Sequence, residues 1–282
     1  MNPLRVMVQE DIPAGLALCR AAGWNQRAAE WELFLTLSPQ DCRVAFDSEG
    51  NVVGTVTTVG YEDHFSWIGM LLVDPAQQRH GIGTQLLQES LNILREAETV
   101  KLDATPQGRE VYLKLDFVDE YSLSRMKASR VAASILSEGQ ARPIMESDFH
   151  RLLEFDREVF GADREAVLRW LWYEAAQYAF ITEEDNRILG YCFGRPGHNY
   201  THIGPIIATD VKNCIDLAST ALRHCTGDHV ILDVLHHTQE WQTWLASAGF
   251  IEQRTFIRMY RGPNAWPGVP VRQFAVVGPE FG

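Results

Sequence analysis

The chain repeats itself. An Arg with an Asp six residues further on opens each half, as Arg5 and Asp11 and again as Arg142 and Asp148. Gly54 in VVGTVTTVGY answers Gly190 in ILGYCFGRPG, and Gly69 in SWIGMLLVDP answers Gly204 in THIGPIIATD. Phe117, Arg125 and Met126 answer Phe250, Arg258 and Met259, and every offset lies between 133 and 137 residues. A collinear set of this kind implies two copies of one domain in tandem. With 282 residues there is chain enough for two hydrophobic cores without disulfides or structural metals.

Each copy reads as an α/β layer. In the first, RVMV is a short strand, Asp11 is expected to cap the helix that follows, and a second helix runs from about Arg27 to Leu37 before Ser38-Pro39 stops it. A hairpin turning at Ser48 to Gly50, the strand FSWIGMLLV, a helix from Ile82 to about Ala97, the strand VKLDA, a short helix through Tyr112 and a last strand follow. The expected units are residues 1–128, a linker at 129–140, and a second copy at 141–282. The segment from Arg261 to Gly282, rich in Gly and Pro but carrying FAVVG, is expected to return as an extra edge strand.

Composition narrows the partners. The 25 basic residues against 37 acidic ones leave a formal charge of −12, which disfavours nucleic acid or an anionic membrane as the main partner. No 18-residue apolar run or signal-like N-terminus occurs, and the five cysteines are an odd set without a CxxC pair. A cytoplasmic location with free thiols is therefore expected, with oligomeric state left open.

The sharpest local signal is Gln78-Arg79-His80-Gly81-Ile82-Gly83-Thr84, between the strand MLLVDP and an apolar helix. Glycines there let the backbone turn tightly and approach a ligand, while the free amides of the first helical turn favour phosphate. Arg79 and His80 can add charge-assisted hydrogen bonds. Neither a dinucleotide fingerprint nor a Walker loop fits, since the strand is not followed at once by GxGxxG and Gly-Lys-Ser/Thr is missing. The plain alternative is a tight strand-to-helix connection.

QRHGIG resembles the Gln/Arg-x-x-Gly-x-Gly/Ala signature of the GCN5-related N-acetyltransferase (GNAT) superfamily, and LDATPQGREVYLKLDFVDEYSLSRM is similar to that family's closing helix and strand, with Asp116 where Gly is usual before Phe117. With the degenerate second copy, the whole is similar to the two-domain YitH-like branch. The resemblance implies tandem GNAT-like domains, each a mixed, mostly antiparallel sheet flanked by helices. It implies transfer of an acetyl group from acetyl-CoA directly to an amine, expected to be a small molecule. Backbone at Leu71, Leu72 and Val73 would bind the pantetheine arm and thioester, Gln78 through Thr84 the pyrophosphate, and Tyr112 would donate a proton to the sulfur. A noncatalytic acyl-CoA-binding or regulatory protein is the alternative.

The acceptor side is less defined. Asp63 and His64, just before the central strand, are candidates for the base, although both positions also suit a solvated loop. Glu32 and Asp103 are candidate substrate contacts, as are Arg195, His198, His202 and Asp233 in a second copy that lacks the glycine turn. One acyl-CoA site per chain, in the first copy, is therefore expected. No metal site is expected, because the histidines of HNYTH and DVLHH do not converge on strands, and no GxSxG elbow supports hydrolase chemistry.

Overall fold

The computed structural model describes residues 2–225 and 229–282. In the first half β1 (Leu4–Val6), α1 (Ile12–Ala21) and α2 (Ala28–Leu37) precede β2 (Arg43–Phe46), β3 (Val52–Tyr61) and β4 (Phe65–Val73). Then come α3 (Ile82–Ile93), β5 (Val100–Ala104), α4 (Pro106–Leu113) and β6 (Val118–Ala128). The order recurs with β7 (Arg142–Pro143), α5 (Phe149–Phe160), α6 (Glu165–Ala175), β8 (Phe180–Glu184), β9 (Arg187–Arg195) and β10 (Thr201–Ala208). Closing the chain are α7 (Val211–Arg223), β11 (Val230–Leu235), α8 (Gln239–Ser247), β12 (Ile251–Arg261) and β13 (Gln273–Ala275).

Both copies open on the same polar lock. Arg5 holds Asp11 with two hydrogen bonds of 2.7 and 2.8 Å, and Arg142 holds Asp148 at the same two distances. Neither carboxylate caps the helix that follows, contrary to the expectation for Asp11; each turns back to a backbone N–H, of Val8 or Met145. The Arg142 guanidinium thereby holds the Asp148 carboxyl down at about 2.

Among the described residues the strands form one continuous 13-stranded sheet, in the order β1-β2-β3-β4-β5-β12-β6-β11-β13-β10-β9-β8-β7. The last strands of the two copies have changed places. β12 lies antiparallel to β5 of the first half, and β6 lies antiparallel to β11 of the second, while β6 and β12 pair with each other along most of their length. The exchange is fastened by two crossed ion pairs. Arg125 on β6 binds Asp233 on β11 through Nε and Nη2 at 2.8 and 2.7 Å, and Arg258 on β12 binds Asp103 on β5 at 2.9 Å through the same two atoms. All four side chains are almost wholly buried.

In each half the central parallel pair touches briefly and then diverges. β4 meets β5 only at Ser66 with Val100 and Trp67 with Lys101, and β10 meets β11 only at Thr201 with Val230 and His202 with Ile231. In the second half β13 fills the resulting opening, pairing with Ile206 and Ile207 on one side and Val234 on the other. The returning strand is therefore interior to the sheet and not at its edge, because two diverging strands offer it two rows of unpaired backbone groups.

Residues 276–282 then cross into the first half. Phe281 stacks on Phe34 with ring centres 4.5 Å apart, Tyr61 donates its hydroxyl hydrogen to Phe281 O at 2.6 Å, and Trp67 Nε1 donates to Pro279 O at 3.0 Å. Among the described residues no helix is long and apolar enough to cross a membrane. All five cysteine thiols are buried, and none forms a disulfide among the described residues.

Two outcomes are expected. Arg125→Leu leaves the Asp233 carboxylate at zero exposure with only the His202 imidazole, 3.2 Å away, beside it and costs about 3–5 kcal/mol, part of which Asp233→Asn added to the same chain restores; urea denaturation of the single and double variants measures both. Because folding lowers the pKa of Asp148 to about 2, its contribution to stability is complete above the unfolded carboxylate value of about 3.9 and is lost as pH falls through about 2. Asp148→Asn is expected to flatten that part of an acid-unfolding curve.

Candidate active site

A cavity of about 470 Å³ opens where β4 leaves β5. Past Trp67 the β5-facing edge of β4 has no strand partner among the described residues, and Ile68 to Val73 line the opening. The strand is also bulged. Thr55 faces Leu72 while Thr57 faces Gly69, so Met70 and Leu71 share one partner residue, with Met70 in the left-handed region at φ +49°. Thr55 holds the bulge by donating its hydroxyl to Met70 O at 2.9 Å.

At one end of the cavity the chain turns into α3. Gly81 is the residue before the helix and has φ +84°, a conformation that a side chain strains. A methyl group built on it meets nothing within 4 Å, whereas one on Gly83 would touch Val73 at 3.5 Å. The space in front of the first helical turn is thus open, bounded by free amides and by Arg79. This fits a phosphate group. On the opposite wall α4 begins at Thr105, whose hydroxyl accepts from Gly108 N at 3.1 Å, and brings Tyr112 to the cavity. The Tyr112 ring packs beside Gly108 and Phe117, burial raises its phenol to about 12, and its hydroxyl has no hydrogen-bond partner among the described residues. It is a protonated donor at neutral pH, with its hydrogen uncommitted.

The far end of the cavity is built by both halves. Trp24 and Gln26 come from the first, Arg125 and Arg254 from the exchanged strands, and Pro279 and Glu280 from the crossing segment. Glu280 Oε1 accepts from Arg195 Nη2 at 2.7 Å, while Oε2 has no hydrogen-bond partner among the described residues. Among the described residues the only other carboxylate on the cavity wall, Asp103, has both oxygens engaged by Arg258.

Of the residues singled out from sequence, Leu71, Leu72, Val73, Gln78, Arg79, Gly81, Ile82, Gly83, Thr84, Asp103 and Tyr112 all line this cavity. His80 does not; it points to solvent, with Nδ1 3.2 Å from Gln77 O. Asp63 and His64 are displaced from it as well. They sit on the β3–β4 turn, at the end of β4 where β5 is still paired and no opening exists, and His64 is stacked on Trp266 at 3.7 Å with Nδ1 2.9 Å from Gly161 O. Glu32 is exposed on α2, and its neighbour Glu30 is the buried one. Arg195 is a structural cation, bound to Glu30, Glu280 and Val277 O. His198 is exposed in the β9–β10 loop, while His202 and Asp233 are buried beside Arg125 behind the cavity wall. There, burial pulls the Asp233 carboxyl upward, but Arg125 outweighs it and holds the group well below the usual carboxylate range.

Sequence reasoning missed Gln26, Arg254, Phe256 and Glu280. Arg125 was visible as a repeat marker, but Arg254 has no counterpart in the first copy, where Tyr121 stands at the matching offset. No local pattern marks Glu280, which reaches the cavity only because β13 carries the chain across the sheet.

Comparisons with known proteins agree with this geometry. Residues 13–117 match the Acetyltransferase (GNAT) family, and residues 152–275 match an Acetyltransferase (GNAT) domain. The chain belongs to the GNAT superfamily. As a tandem GNAT protein it is 26% identical over 207 residues to the uncharacterized N-acetyltransferase YitH of Bacillus subtilis, covering 71% of each chain. It is 24% identical to the holothin acyltransferase of a Pseudoalteromonas species, over 86% of this chain and 82% of that one. Its fold is shared by a putative acetyltransferase of Pyrococcus horikoshii, with a TM-score of 0.82 at 22% identity over 99% and 95% of the two chains. A tandem GNAT protein from the clavulanic acid biosynthesis pathway aligns with a TM-score of 0.61 at 14% identity, over 94% of this chain and all of that one. Among the described residues no group of three or more His, Cys, Asp and Glu side chains converges as a metal site.

Since no described residue bonds to the Tyr112 hydroxyl, Tyr112→Phe is expected to change stability by less than about 0.5 kcal/mol. Thermal unfolding of the variant checks this and supplies the folding control for a kinetic test.

Proposed function

We propose that this GNAT acyltransferase moves the acetyl group of acetyl-CoA to the primary amine of a small molecule by direct transfer, at one site per chain. The observation that carries the reading is the open, bulged edge of β4 with the Gly81 turn at one end and Tyr112 facing it. The corresponding opening of the second half is filled by β13. A cavity of about 470 Å³ walled by both halves suits an enclosed small acceptor better than a protein tail. Burial of every cysteine thiol suits a cytoplasmic enzyme.

The chemistry follows from where the groups stand. Acetyl-CoA supplies the acyl group, its pyrophosphate held by the amides at Gly81 to Thr84 and by Arg79, and its arm laid along the backbone of Leu71 to Val73. Carbonyl polarisation falls to the unpaired edge of β4. The neutral amine nitrogen attacks the thioester carbon, a C–N bond forms and the C–S bond breaks. Glu280 Oε2 takes the proton shed by nitrogen, Tyr112 gives its hydroxyl proton to the departing sulfur, and the two residues re-equilibrate through solvent. Glu280 takes this role over Asp103 because only Glu280 has a carboxylate oxygen uncommitted. No covalent enzyme intermediate is required.

Calorimetric titration with acetyl-CoA is expected to show one saturable site per chain. Gly81→Glu is expected to abolish it, since a carboxylate would occupy the phosphate position on a backbone that already resists a side chain. Tyr112→Phe is expected to bind acetyl-CoA normally and to lower kcat about 100-fold. A folded wild-type chain that does not bind acetyl-CoA overturns the reading, and tight binding with no turnover over a broad panel of amines points to a noncatalytic acyl-CoA-binding protein.

A further inference from the structure

Two guanidinium groups face each other at the acceptor end of the cavity. In the register of β6 and β12, Arg125 stands directly opposite Arg254, and the extra residue Gln253 in β12 sets that register. Both guanidiniums lie against the ring of Phe256, at 5.6 and 5.1 Å from its centre. Like charges directly opposite in a sheet destabilise it, and bulges of this kind redirect side chains beside binding sites.

Only one of the two is compensated. Arg125 spends its charge on Asp233 in a two-point pair. Arg254 has neither an ion pair nor a hydrogen bond among the described residues, and its Nε is buried without a partner. Burial, and after it the neighbouring charge of Arg125, bring Arg254 down to about 10, so it is still a cation at neutral pH. A buried, unpaired donor on a cation is costly unless something binds it. A second orphan shares the wall: Gln26 is 5% exposed and its Oε1 has no hydrogen-bond partner among the described residues.

We propose that the acceptor carries a carboxylate as well as its amine, and that Arg254 holds the carboxylate while Gln26 Oε1 and Glu280 receive the amine end. This rests on the acyltransferase reading and adds the substrate class, an amino acid or a related amino carboxylate. One uncompensated positive charge matches one carboxylate. The planar fork of Arg254 is suited to two-point recognition of that group. Arg254 is here a specificity residue, touching substrate away from the reacting atoms.

The test uses the full chain saturated with coenzyme A and titrated with product mimics: N-acetylglycine, N-acetyl-β-alanine and N-acetyl-γ-aminobutyrate, each beside its primary amide. At least one carboxylate is expected to bind ten times or more tighter than its amide. Arg254→Gln is expected to reduce that ratio to about one while leaving acetyl-CoA affinity within twofold of wild type, and Arg254→Lys to restore part of the preference. Equal or absent binding of carboxylates and amides by wild type overturns the proposal, as does a preference that survives in Arg254→Gln. Failure of acetyl-CoA itself to bind is a separate result, which overturns the acyltransferase reading.

Discussion

Everything distinctive in this molecule depends on a pair of buried Arg–Asp contacts that run crosswise between the two halves. Arg125 and Arg258 are equivalent residues of the repeat, and each reaches a carboxylate in the other half. Burying four charges is expensive, and the expense is offset only by two-point geometry with nearly every lone pair engaged. The pattern therefore acts as a strong discriminator. A sheet in which β6 and β12 each stayed at home would bring Arg125 toward Asp103 and Arg258 toward Asp233 only by rebuilding the whole centre of the sheet, where those strands now pair with each other.

The consequence for the site is asymmetry grown from a symmetric plan. Both halves have a parallel pair that parts after two residue pairs, and both retain a glycine on the strand that bends away, Gly69 and Gly204. One opening keeps a glycine turn and a helix to receive an anion. The other has lost those glycines and is sealed by β13. At Gly69 even a methyl group would lie 2.9 Å from Glu280 O, so the crossing segment packs on backbone that tolerates no side chain. Through Arg254, Phe256, Pro279 and Glu280 the second half supplies part of the wall of the first half's pocket.

Much of this was legible in the residues. The Arg–Asp spacing, the paired glycines and the closing Phe, Arg and Met are local patterns, and they carry the tandem fold because each is a backbone or charge requirement that recurs. The turn at Gly81 was legible for the same reason. The exchange of strands was not, because β6 and β12 are near copies of one pattern and either satisfies the same neighbours as far as local sequence can tell. The far end of the cavity was hidden for a related reason: Arg254 and Glu280 reach the cavity that Tyr112 lines only through the pairing of Arg254 with Arg125 and the contact of Pro279 with Trp67, each between residues more than a hundred positions apart. Asp63 and His64 precede the right strand, but the strands part at its other end, and no periodicity reveals at which end a parallel pair diverges.

The interleaving of the halves also bears on how the protein comes to life. A ribosome releases residues 1–128 first, and that stretch contains the glycine turn, the bulged strand and Tyr112. Yet at that moment Asp103 is a carboxylate with no cation, β5 has a bare edge, and the carboxylate that closes the pocket has not been made. The first half must wait, and it must wait in a form that β12 can still enter. The pocket is thus completed only once residues 251–280 have been made, and a product truncated before them carries the motifs of the family without the wall that closes the cavity.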